Sequence, residues 1–227
     1  MRLHRFYIKN DLTVGQEITL DNPEVVHQLK KVFRLEAGDK VVVFNGDGFD
    51  YVAELTLLTK EEGVIKVTEQ KEGISEAKYK ITLALSLIKK DNFELVVQKA
   101  TELGVATIIP IVSERSEKKN LNMDRLTKIA VEAAEQSGRG KLPTISEIVE
   151  LDKFLQNTTG PIYAFDPTGT EIKLEKGDAT ILVGPEGGWS EKELEMFKEK
   201  NIAIIKLPGN VLRAETAAVA LSTLFLY

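Results

Sequence analysis

Two stretches of this chain combine residue types and spacings that suit ligand chemistry. In TILVGPEGGWS (180–190) an apolar run with the character of a buried strand enters a glycine-rich loop and then a helical period. Ligands of open α/β sheets bind at such strand ends. Ser190 and Glu193 form an S-x-x-E capping box, which anchors the helix start and tethers the loop. The loop lacks the Lys and Ser/Thr of a Walker A sequence and does not fit G-x-G-x-x-G. Glu186 within it would repel a phosphate, so the loop amides suit an adenine edge, a ribose or a cationic ligand. LPGNVLRAETA (207–217) repeats the design, a strand end turning through Gly209 into a helix. Two such ends close together in a parallel sheet can hold one small ligand between them. Arg213, just before an Ala-rich apolar helix, is placed to orient negative charge. Glu215 has two readings: a ligand-facing carboxylate, or an acid favoured in a first helical turn by the dipole.

Other chemistries are excluded by composition. The 227 residues include no Cys and only His4 and His27, so there is no thiolate nucleophile, disulfide framework or thiolate zinc site, and no metal is expected. Catalysis would fall to carboxylates, Arg and Lys, backbone dipoles or a borrowed cofactor. With 30 Lys+Arg against 35 Asp+Glu, the net charge of −5 argues against a protein that coats nucleic acid indiscriminately. Local basic surfaces remain possible. His27, Lys30, Lys31 and Arg34 recur at i, i+3, i+4, i+7 opposite Val26, Leu29 and Phe33, and Arg2, His4 and Arg5 could extend that stripe. The pattern fits phosphate contacts as well as a solvated face. Further basic residues fall in loops of the second half: Lys89 and Lys90, then Arg115, Lys118 and Lys119, then Arg139 and Lys141.

The elements that must position these residues change rhythm along the chain. Residues 16–20, 40–45, 49–58 and 63–69 read as short strands, with the turn signal NGDG (45–48) between two of them. One helix interrupts this β-module, from Asn22 as cap and Pro23 as first residue to Arg34. The polar KEGISEAK (71–78) reads as a linker. Strand-like runs at 81–88, 107–112, 162–165, 180–183 and 202–207 then alternate with helical periods, the pattern of a mostly parallel sheet covered by helices. Phe93, Val96, Val97, Ala100 and Leu103 share one helical face ended by Gly104; Leu126, Ile129, Ala130, Ala133 and Ala134 share another, capped by Asn122. At 43% hydrophobic and 29% charged the chain is ordinary globular, and no apolar run approaches the roughly 20 residues of a bilayer span. No secretory signal is visible, so a cytoplasmic protein is expected.

HQLKKVFRLEAGD (27–39), KKDNFELVVQKATELGVATIIPIVSERS (89–116), EAAEQSGRGKLP (132–143), VGPEGGWSEKEL (183–194) and LPGNVLRAETA (207–217) occur in that order. Together they make the chain resemble the RsmE family of 16S rRNA uridine-N3 methyltransferases over nearly its whole length. The resemblance implies an α/β fold: a small PUA-like β-barrel domain for RNA (1–72), then a SPOUT-type knotted parallel sheet flanked by helices (73–227). It also implies a homodimer, S-adenosylmethionine as cofactor, and 16S rRNA or the small ribosomal subunit as partner. Carried onto this chain, the cofactor loops are Gly184, Pro185, Glu186 and Gly187, and Leu207, Gly209, Val211, Leu212 and Thr216, with Phe165 and Val183 at strand ends. Arg213 becomes the stabiliser of charge on the uracil oxygens, with Glu186 or Glu215 as proton acceptor or loop organiser. RNA contacts fall to Arg2, Arg5, His27, Lys30, Lys31, Arg34, Lys89, Arg115 and Arg139. The chain departs from the family pattern at Asn210, commonly basic, and at Pro208-Gly209, commonly Leu-Gly. A ribose 2′-O-methyltransferase and a non-catalytic RNA-binding assembly factor are the rival readings.

Overall fold

The computed structural model describes residues 3–74, 76–116, 120–171 and 176–227. Contacts divide the chain into two units, Met1–Glu76 with Ala134–Leu142, and Ala77–Ala133 with Pro143–Tyr227.

In the first unit β1 (Arg5–Tyr7), β2 (Glu17–Thr19), β3 (Lys40–Phe44), β4 (Phe49–Leu58) and β5 (Gly63–Glu72) form one sheet, ordered β1-β3-β4-β5-β2. Pairing is parallel between β1 and β3 and antiparallel elsewhere. The β3–β4 hairpin turns through Gly46 and Gly48, both at positive φ, as the NGDG signal requires. Asp47 braces the turn by accepting from the Phe49 N–H and, at 2.7 Å, from the Tyr51 hydroxyl. Burial, and then that hydrogen bond, push the Tyr51 hydroxyl up to about 12.

The helix expected from Asn22 to Arg34 starts as read but ends early. Asn22 Oδ1 accepts from the Glu24 N–H, and α1 runs Pro23–His27. A π turn follows over Gln28–Val32, closed by Phe33 N–H donating to the Gln28 carbonyl at 2.9 Å. The wider turn keeps Leu29 buried while Phe33 reaches His4 and Phe6, and Arg34 at φ 56 ends the helical path. The regular basic stripe is therefore lost: His27, Lys31 and Arg34 are exposed, but Lys30 is half-buried. Arg2 lies outside the described residues.

The expected linker is also redrawn. β5 continues to Glu72, Ile74 bridges Arg139, and residues 134–142 return to the first unit. Two glycines permit this return. A Cβ on Gly73 would stand 2.6 Å from the Gly48 carbonyl oxygen, and one on Gly140 3.2 Å from the Gly48 Cα. Arg5 secures it by pairing with Asp50 at 2.7 Å, donating to the Ala134 carbonyl at 2.9 Å and lying 3.5 Å above the Phe44 ring.

In the second unit β6 (Ile81–Ser86), β7 (Thr107–Val112), β8 (Thr144–Ile145), β9 (Val149–Glu150), β10 (Ile162–Thr170), β11 (Ala179–Val183) and β12 (Ala203–Ile205) make a parallel sheet, ordered β12-β10-β11-β6-β7-β8 with β9 also on β7. Alternation along the strands divides their side chains between two cores. Leu83, Leu85, Ile181 and Val183 join α2 (Lys90–Leu103), α3 (Met123–Ser137) and α6 (Ala214–Leu226). Ala84, Ile111, Ala164 and Leu182 join α4 (Leu151–Asn157) and α5 (Glu191–Glu199). Burial on both faces explains why these strands read as continuous apolar runs. The expected boundaries of β10 and β12 shift: β10 runs five residues beyond Phe165, and β12 keeps only Ala203–Ile205. On α2, Arg125 from α3 holds the Glu94 carboxyl below the usual carboxylate range through a 2.7 Å contact.

Candidate active site

A cavity of about 470 Å³ opens in the second unit, where the middle of β10 and the end of β11 meet the starts of α2 and α6. One wall is the glycine loop after β11, and it is held from several directions. Glu193 Oε2 accepts from the Ser190 N–H at 2.7 Å, completing the capping box, while its Oε1 accepts from the Glu114 N–H at 2.8 Å. Arg115 donates to the carbonyls of Gly187 and Trp189 at 2.9 and 3.2 Å. Trp189, only 3% exposed, donates through Nε1 to the Phe165 carbonyl at 2.9 Å and so ties this loop to the middle of β10. Its indole also packs closely on Gly184, where an added Cβ would stand only 3.1 Å from the ring. Glu186 Oε1 accepts from the Lys89 N–H at 3.2 Å, joining the loop to the start of α2.

The opposite wall is built more simply. After β12, Lys206 N–H donates to the Thr170 carbonyl at 3.2 Å, and Gly209 turns the chain at φ 101. Arg213 stands at the N-cap of α6 in an extended conformation and makes no side-chain cap bond. Its side chain is exposed, and the Ala217 N–H bonds to its carbonyl at 2.8 Å. Glu215 is in the first turn of α6, and its Oε2 is buried without a hydrogen-bond partner among the described residues.

Of the residues expected around a ligand, Phe165, Val183, Gly184, Pro185, Glu186, Val211, Leu212, Arg213 and Glu215 line this cavity. Four do not. The Gly187 carbonyl turns to Arg115, Leu207 packs on the hydrophobic core, and Gly209 and Thr216 are exposed to solvent. Asn92, Asp166, Pro167 and Trp189 line it without having been singled out. The sequence DPTG (166–169) directly after an apolar run has the turn-residue pattern that marked the other two loops, although β10 continues through it to Thr170.

The basic residues also separate. Lys89 is exposed at the cavity rim, and Arg115 is exposed while bracing the glycine loop. Arg5 and Arg139 are corrected from RNA-facing to inward-facing cations: each side chain is 8% exposed, paired with Asp50 and Glu76 respectively within the first unit. Lys118 and Lys119 lie outside the described residues. Among the described residues no cluster of His, Asp and Glu could hold a metal ion, and no helix is long and apolar enough to cross a membrane.

The cavity has two characters. Phe165, Val183, Trp189 and Leu212 offer apolar surface for a flat ring, and Lys89, Asn92, Glu186, Arg213 and Glu215 offer charge and hydrogen bonds. Its volume lies in the range of sites for small ligands.

Comparison with known proteins matches residues 75–226 to an RNA methyltransferase domain family and residues 20–68 to an RNA methyltransferase PUA domain. The chain is 35% identical to a protein of Rickettsia conorii named ribosomal RNA small subunit methyltransferase E, covering 96% of this chain and 93% of that one. It is 33% identical to the Bacillus subtilis protein of the same name, covering 86% and 84%. Among solved structures, a methyltransferase from Legionella pneumophila with bound S-adenosylmethionine superposes with a TM-score of 0.91 at 30% identity, covering 99% of this chain and 97% of that one. Ribosomal RNA small subunit methyltransferase E from Neisseria gonorrhoeae, bound to the same molecule, superposes at 0.90 with 29% identity, covering 97% and 95%.

Proposed function

This chain belongs to the ribosomal RNA small subunit methyltransferase E family, and from that premise we propose that it methylates N3 of a uridine in 16S ribosomal RNA with S-adenosylmethionine. One observation carries the reading: both glycine-bearing strand ends meet at a single cavity whose wall includes Arg213, Glu186 and Glu215. The wall fits the cofactor. Phe165, Val183 and Leu212 suit the adenine, and the buried Glu215 oxygen, without a hydrogen-bond partner among the described residues, suits a ligand that brings positive charge. When bound, S-adenosylmethionine supplies an electrophilic methyl group.

The protein's own task is to make N3 nucleophilic and hold it in line. N3 carries a proton, and its loss spreads negative charge onto O2 and O4 of the ring. Arg213, exposed at the start of α6, can donate to those oxygens with its planar fork. Glu186 is the proton acceptor, its Oε1 held by the Lys89 N–H and its side chain open to solvent. The base must leave its stack to reach these groups. His27, Lys31 and Arg34 of the first unit, and Lys89 and Arg115 of the second, supply phosphate contacts.

The protein acts in the cytoplasm, in ribosome biogenesis, as a homodimer. Leu224 (48% exposed) and Tyr227 (69%) on and beyond α6 support a second copy as their cover. A threaded C-terminal segment is part of the same reading. A Cβ on Gly169 would lie 2.7 Å from the Ile205 carbonyl carbon, so the extension of β10 wraps closely over the chain leaving β12.

The test is incubation with S-adenosylmethionine and either 16S rRNA or small subunits, followed by nucleoside digestion and mass spectrometry. The expected product is 3-methyluridine. A 2′-O-methylated nucleoside would move the target to the ribose, and cofactor binding without any product would leave a docking factor.

A further inference from the structure

We propose that Glu215 is a charge sensor for the methyl donor, holding the positively charged sulfonium and releasing the neutral thioether left after transfer. The inference rests on the cofactor reading above and goes beyond it by assigning the selectivity between substrate and product to one side chain.

The buried Oε2 of Glu215 receives no hydrogen bond among the described residues. A buried carboxylate oxygen without a partner is costly, and such a group in a cavity wall calls for a ligand that compensates it. The other two carboxylates of the wall are already engaged: Glu186 accepts from the Lys89 N–H, and Asp166 Oδ1 accepts from the Thr168 N–H and hydroxyl. Position selects which part of the ligand Glu215 meets. The Trp189 indole is bonded to the Phe165 carbonyl, which gathers aromatic surface at the β10 side of the cavity. Glu215 belongs to α6, which packs against α2, the helix whose start brings Lys89 and Asn92 to the wall. In this proposal the flat purine lies against Phe165, Val183 and Leu212, and Glu215 is assigned to the charged end.

At that end the donor carries a sulfonium, which is positive but has no N–H or O–H to offer. An acceptor-only carboxylate whose Oε2 receives no hydrogen bond among the described residues matches it. After methyl transfer the sulfur is neutral and the pairing is gone, while the ammonium, ribose and adenine are unchanged. Attraction confined to the charged form also limits occupancy of the site by product.

The experiment is isothermal titration of wild type and Glu215→Gln with three probes: S-adenosylmethionine, S-adenosylhomocysteine, and sinefungin, whose amine stands at the methyl position. Wild type should bind S-adenosylmethionine and sinefungin roughly tenfold or more tighter than S-adenosylhomocysteine, the scale of one charge-assisted contact. In Glu215→Gln the three constants should converge, mainly by loss of affinity for the two cationic probes. Equal wild-type affinities would overturn the proposal without recourse to the variant. A uniform loss for all three probes in Glu215→Gln would also overturn it, reassigning the carboxylate to a group the probes share. If wild type bound none of them, the cofactor reading itself would fall, and this inference with it.

Discussion

The two loops that face each other across the cavity have similar glycine-bearing sequences and opposite mechanical characters. Residues 184–190 are bound by Trp189 to β10, by Arg115 and Glu193 to the segment after β7, and by Glu186 to the start of α2. Among the described residues, 206–213 are tied by the Lys206 N–H to the Thr170 carbonyl, by a 3.8 Å Lys206–Glu171 ion pair and by the Ala217 N–H to the Arg213 carbonyl, with Val211 79% exposed and no side-chain cap bond from Arg213. The first loop is a frame whose shape exists before any ligand arrives. The second can adjust, and it carries the guanidinium assigned to the transition state. Substitutions in the frame should therefore cost stability and cofactor affinity together, whereas substitutions in the open loop should cost transfer alone.

The largest expected effect tests the frame. Trp189→Ala removes a buried indole and its bond to the Phe165 carbonyl, and should lower the unfolding free energy in urea by about 3–5 kcal/mol while weakening S-adenosylmethionine binding in titration. Normal affinity in a destabilised variant would break the link between the two. Arg213→Ala tests the open loop. Single-turnover methylation should fall on the order of 100-fold, with affinity within a few-fold and stability within about 0.5 kcal/mol of wild type. A parallel collapse of affinity would make the second loop part of the frame.

Arg115→Ala sharpens the comparison from outside the cavity. Losing the bonds to the Gly187 and Trp189 carbonyls should weaken cofactor binding by roughly five- to tenfold, on the scale of one or two hydrogen bonds. Titration that finds no change would show that capping and Trp189 suffice.

The smallest effect belongs to a pair outside both loops. Arg125 depresses the Glu94 pKa, so the pair stabilises the fold above the ordinary carboxylate range and loses that contribution as pH falls through the lowered value. Glu94→Gln should melt slightly earlier than wild type at neutral pH and together with it in strong acid, with cofactor affinity unchanged throughout. A melting difference that persisted in acid would assign the effect to packing.

How much of this was legible depended on how local the determining interaction was. The parallel sheet announced itself through apolar runs, because strands buried on both faces need no polar alternation. The S-x-x-E box at Ser190 appeared as read, since its two bonds span three residues. The basic helix misled because the π turn at Gln28–Val32 arises from Phe33 packing on His4 and Phe6, residues from another part of the chain. Arg5 and Arg139 misled for a related reason: their partners Asp50 and Glu76 are distant in sequence, so a guanidinium destined for burial looked like a surface one.

The amino-acid sequence by itself determined the two classes of element, the two glycine-bearing strand ends, and the presence of Arg213, Glu186 and Glu215 beside them. All of these follow from periodicity and short-range turn chemistry. Only the tertiary structure decided that Trp189 locks one loop while the other stays open, that residues 134–142 return to the first unit, and that a Glu215 oxygen is buried without a hydrogen-bond partner among the described residues. Each of these depends on which distant groups arrive within hydrogen-bond reach or shut out water, and spacing along the chain carries no record of that.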